Sequence, residues 1–116
     1  MHKVHPDHVT ADDIAAAEEA FLAANTAHAN AHDAWRAALE ADALCAPLLA
    51  AYWEAQTTPR SGTAWRVLDD LAVLRAPREC DALTMVLAAK DVASRRLSAL
   101  RAAYARQTAA TQEVAQ

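Results

Sequence analysis

Residues 14–44 read IAAAEEA FLAANTA HANAHDA WRAALEA DAL, four blocks of seven followed by three residues. The fourth place of each block is alanine (Ala17, Ala24, Ala31, Ala38), and so is the seventh (Ala20, Ala27, Ala34, Ala41). The first place is bulky: Ile14, Phe21, His28, Trp35. On a helix these three columns lie side by side on one face. Methyl-sized side chains let a second backbone approach closely, and the bulky column fills the edge of the contact. Enlarging the small residues would overpack it. The stretch therefore predicts a long helix made to lie against another.

The helix has a clear start. Thr10 is a good N-cap, and Asp13 three places later completes a capping box with the shorter acid. Asp12, Asp13, Glu18 and Glu19 sit toward the positive end of the helix dipole. The expected span is Ala11 to about Ala43, roughly 50 Å at the helical rise, with Glu19, Thr26, Asp33 and Glu40 as its polar column. Pro47 then either opens a new helix in its first turn or kinks the old one. A short helix to about Gln56 would carry Leu48, Leu49, Tyr52 and Trp53 inward. The run Thr57 to Gly62 holds the single glycine and reads as a loop. A third helix, about Thr63 to Arg75, places Trp65, Leu68, Leu71 and Ala72 on one side, and Pro77 stops it. From Pro77 to about Thr108 a second long helix carries two inward columns: Val86, Ala93, Leu100, and Leu83, Lys90, Leu97, Tyr104.

The expected fold is all-α: two long antiparallel helices joined by a short helical hairpin, packed like a coiled coil. Composition agrees, with one Gly, four Pro and abundant Ala, and no strand-forming run appears. A chain of 116 residues fits a single helical domain. Residues 1–9 are expected to form a flexible tail and residues 109–116 a frayed end. Of the chain, 54% is hydrophobic, but much of that is alanine, so the core is thin for the length.

Charge orients the long helices. Residues 1–58 hold nine acids against Lys3 and Arg36, whereas residues 59–116 hold nine bases against six acids. Antiparallel packing sets the acidic start of the first helix beside Arg95, Arg96, Arg101 and Arg106. The same pairing puts His28 and His32 near Ser94 and Lys90. Exposed ion pairs contribute about 0–1 kcal/mol each, so they select the orientation more than they hold it. The overall charge of −4 disfavours direct nucleic-acid binding.

No constellation in the sequence carries a reaction. His28 and His32 are four apart on one helix and could share an ion, but no further ligand motif accompanies them. The bland alternative is a half-buried His28 bonded to the last helix, with His32 at the rim. His2, His5 and His8 read as a solvated tail. Cys45 and Cys80 read as free thiols behaving as small apolar side chains. Glu18–Glu19 and Asp69–Asp70 are sequence neighbours that diverge on a helix. No metal, cofactor or catalytic residue is expected. No run is apolar enough for a signal peptide or membrane span, so a cytoplasmic location is expected, in the producing or a host cell.

What remains is contact. Trp53, Arg60, Trp65 and Arg66 cluster about the loop, and Trp and Arg are enriched at interface hot spots. With Arg95, Arg96, Arg101 and Arg106 they form the candidate partner-binding set. The leading expectation is a non-enzymatic module that docks on, and blocks or remodels, a larger protein or ribonucleoprotein complex. In general character it resembles the small acidic helical accessory proteins of phages and mobile elements, anti-CRISPR inhibitors among them. The alternatives are a self-assembling subunit, as a homodimer, scaffold or virion component, and a nucleic-acid-associated regulator using the arginine cluster.

Overall fold

The computed structural model describes residues 8–54 and 62–115. It contains four helices: α1 (Ala11–Glu40), α2 (Cys45–Glu54), α3 (Gly62–Arg75) and α4 (Pro77–Ala115). No strand occurs among the described residues. The chain divides into two compact units, one combining residues up to Thr26 with those from Ala88 onward, the other Ala27–Leu87.

The first unit is an antiparallel pair made from the start of α1 and the part of α4 from Ala88 onward. Its direction is fixed by partners across the pair: Arg101 bonds Glu18 at 3.3 Å, and Gln107 bonds Val9. The capping box forms as expected. The Asp13 amide donates to Thr10 Oγ1 at 3.1 Å, and the Thr10 amide donates to Asp13 Oδ2 at 2.9 Å. These bonds hold the Asp13 carboxyl below the usual carboxylate range. Ala17 and Leu97 are buried, and Ile14, Phe21, Ala24, Ala93 and Leu100 are half-buried.

Val9, at the end of the expected 1–9 tail, packs against α4. Val9 is buried, and its amide and carbonyl are both held by the Gln107 side chain, at 2.6 and 2.7 Å. A carboxamide sets an N–H donor beside an acceptor oxygen in the geometry of a peptide group, so a single glutamine satisfies both backbone groups. Helix α4 also outruns its expected end at Thr108. The Thr108 and Thr111 hydroxyls donate to the carbonyls of Tyr104 and Gln107, and the helix continues to Ala115. Tyr104, expected in the core column, is more than a third exposed. Residues 1–7 lie outside the described region.

The second unit is a small helical bundle. Trp35, Leu39, Cys45, Leu49, Leu68, Ala72 and Ala76 form its buried cluster, flanked by Tyr52, Trp53, Trp65 and Leu83. Helix α1 ends at Glu40, short of the expected Ala43, because Asp42 caps α2 instead. Asp42 Oδ1 accepts from the amides of Leu44 (2.9 Å) and Cys45 (3.0 Å), and Oδ2 accepts from Arg75 Nε of α3 at 2.7 Å. Pro47 then falls in the first turn of α2, where a proline is tolerated. Between α3 and α4 the break is one residue, Ala76, and Pro77 opens α4 as its first residue.

Burial corrects one expectation about α1. The column Ala17, Ala24, Ala31, Ala38 faces inward with Ile14, Phe21, His28 and Trp35, but Ala20, Ala27, Ala34 and Ala41 are all exposed. The inward stripe is thus one methyl column beside one bulky column, the two-position seam of a coiled coil. In the second unit His32 and Leu39 join the stripe, because α2 and α3 add neighbours that cover a third column.

Ala24→Leu and Ala31→Leu are expected to lower stability by about 1–3 kcal/mol through overpacking. Ala20→Leu and Ala34→Leu should stay within about 0.5 kcal/mol of the parent; thermal and urea melts of the four variants check the contrast. The hydrogen bond from Arg75, followed by the Cys45 and Leu44 amides, depresses the Asp42 pKa. The stability it contributes is therefore complete above the ordinary carboxylate value, about 3.9, and lost as pH falls through the lowered folded value. Asp42→Asn keeps the capping acceptor but loses the charge, so its melting temperature should lie below the parent's at pH 7 and converge on it in acid.

Candidate functional site

Three helices of the second unit each turn one stripe toward a common groove of about 390 Å³. From α1 come His28, His32 and Trp35; from α3, Trp65, Asp69 and Val73; from α4, Cys80, Leu83, Thr84 and Leu87. Each set follows the three-to-four-residue spacing that keeps side chains on one helix face. The α1 stripe continues the inward columns of the heptad run, so the groove occupies the place where further core would otherwise lie.

Its wall is aromatic. His28 meets His32 edge-on with ring centroids 6.4 Å apart, His32 lies 5.6 Å from Trp35, and Trp35 lies 6.5 Å from Trp65. Tyr52 backs Trp65 at 4.9 Å. Such stacked and tilted rings fix each other's orientation. Trp35 is buried. Burial pushes the Cys80 pKa up, against the lowering effect of the Trp35 side chain. Burial likewise raises that of Cys45, and the adjacent Asp42 charge adds to the effect. Both sulfurs are accordingly held as thiols, poor nucleophiles. The Thr84 hydroxyl donates to the Cys80 carbonyl at 3.0 Å, which leaves its oxygen able only to accept from other groups.

The groove's lining contains one carboxylate, Asp69, and no lysine or arginine. His28 and His32 are both half-buried here. Among the described residues no group of three His, Cys, Asp or Glu side chains is arranged to hold a metal ion. No helix there is long and apolar enough to cross a membrane.

The residues singled out for partner contact fall into two groups. Trp53 and Trp65 are half-buried and pack on the core of the second unit, closing it from the side. The Trp53 ring is covered by the Arg36 guanidinium at 4.8 Å, which is itself paired with Glu40 at 2.9 Å. Arg66 is exposed on α3, and Arg60 lies outside the described residues. Arg95, Arg96, Arg101 and Arg106 are exposed on α4 in the first unit. Two of them have acidic partners: Arg101 with Glu18 at 3.3 Å and Arg95 with Asp91 at 3.1 Å. Arg96 lies in the field of Asp13.

Sequence reasoning picked out His28, His32 and Trp65 but missed the groove as an object. Asp69, Val73, Cys80, Thr84 and Leu87 carried no motif that joined them to the histidines. Their helical spacing was present, yet only the angle of α3 and α4 to α1 makes three stripes converge.

A thiol reagent applied to the native protein is expected to modify Cys80 slowly and Cys45 only on unfolding, both more slowly than free cysteine. Intact-mass and peptide mass spectrometry over time check the order. Family models, curated proteins and solved structures return no match to this chain.

Proposed function

We propose that this chain is a non-enzymatic binding module that acts by docking a helical surface onto a larger protein or complex, blocking or remodelling it. The observation that carries the reading is the apolar surface of the second unit. Leu74 is 77% exposed and Met85 72%, and Leu44 and Val67 are exposed as well. Val67 and Leu74 are seven residues apart and share one face of α3. Large side chains left in water in a chain this short of core material mark surface kept for contact rather than folding.

The charge pattern favours protein over nucleic acid as the partner. Glu18 and Asp91 partly neutralise the arginines of α4, which leaves less field for a phosphate backbone. Both thiols are held protonated by burial, which supports a non-catalytic reading. An inhibitor carried by a phage or mobile element is one setting for such a module, and a cytoplasmic location goes with it.

The test is capture of a partner by crosslinking from the native host, repeated with Leu74→Asp and Met85→Asp. Loss of capture with an unchanged melting curve is the expected outcome. Sedimentation of the purified chain as a dimer, dissolved by the same two substitutions, would transfer the reading to self-assembly. Capture unaffected by either change would remove the surface from consideration.

A further inference from the structure

We propose that the groove of the second unit is a binding site for a small organic cation with a flat apolar body, of the arylalkyl-ammonium class. The inference stands apart from the docking surface and uses different residues.

Size comes first. A volume of about 390 Å³ lies within the span of small-molecule pockets and is too small for a helix. The wall then sets the shape of the occupant. Trp35 and Trp65, with ring centroids 6.5 Å apart and tilted, both line the groove, and Leu83 and Leu87 of α4 add aliphatic surface. A planar hydrocarbon body fits that combination.

Charge and hydrogen bonding fix the polar end. The faces of Trp rings attract cations. Asp69 is the one charged carboxylate of the lining, is exposed, and makes no hydrogen bond or ion pair among the described residues. Its charge is therefore not already spent on a neighbour. The nearest base in sequence, Arg66, lies one turn away on α3 and makes no ion pair with it among the described residues. Thr84 has committed its proton to the Cys80 carbonyl, so toward a ligand its oxygen can only accept. Asp69 and the Thr84 oxygen thus offer acceptors, beside the aromatic lining, to a donor-rich, positive group. A carboxylate ligand would meet Asp69 repulsion with no lysine or arginine in the lining to offset it.

The experiment titrates the intact chain with 2-naphthylmethylammonium, its neutral counterpart 2-naphthylmethanol, and the anion 2-naphthoate, read by calorimetry and by the three indole N–H signals in NMR. The cation is expected to bind about tenfold or more tightly than the alcohol, as ring-face and carboxylate attraction together allow, and the anion most weakly. The signals of Trp35 and Trp65 should move and that of Trp53, outside the lining, should not. Asp69→Asn, at an exposed position, should retain the fold and cut the cation's preference over the alcohol severalfold. Leu87→Trp should fill the groove and abolish binding of all three probes while leaving capture of a protein partner intact. Equal affinity for cation and alcohol, a preference that Asp69→Asn leaves undiminished, or shifts centred on Trp53 would each overturn the proposal, as would no binding up to millimolar probe.

Discussion

Leu39, Leu49 and Leu68, one from each of α1, α2 and α3, meet in one cluster and are almost wholly withdrawn from water. Each contributes about 1.5–3 kcal/mol of burial, and the second unit is built on that meeting. Helices of 10 and 14 residues are too short to persist alone in water. They form because their leucines find α1, and Asp42 then locks the arrangement by serving the amides of one helix and the arginine of another. Without this cluster α3 has no reason to lie where Trp65 and Asp69 reach the groove.

The first unit solves a different problem. Two helices alone can cover only a two-column seam, so Leu22 and Val92 remain more than half exposed. Its ends are held by polar devices instead: the Thr10–Asp13 box, the Gln107 carboxamide on Val9, and the Glu18–Arg101 pair. Each is weak beside a buried leucine, but each specifies direction and register, which apolar contact between columns of alanine leaves loose.

The groove follows from composition as much as from geometry. An alanine-rich chain has few large side chains to spend, and at His28, His32 and Thr84 it places polar ones where a better-filled core would carry leucine. The resulting space is walled by rings that hold one another in place and so need no ligand to keep their shape. Apolar residues then stand on the outside, Leu74 and Met85 above all, where folding gains nothing from them. Both features draw on the same scarce material.

The amino-acid sequence by itself determined the helices, their order and their antiparallel pairing. The signals were local or global in a simple way: the cap at Thr10, the breaks at Pro47 and Pro77, the inward columns from Ile14 to Trp35 and from Leu83 to Leu100, and acid at one end against arginine at the other. It did not determine which alanine column is covered. Ala17 and Ala20 look equivalent in a heptad, and only the position of a neighbouring helix leaves the second in water. Nor could it join His28 to Asp69 and Cys80, which are far apart along the chain and share no motif. Helical periodicity gives each stripe its direction around its own axis. The relative placement of three axes, set by where Leu39, Leu49 and Leu68 can bury together, decided that the stripes face one another.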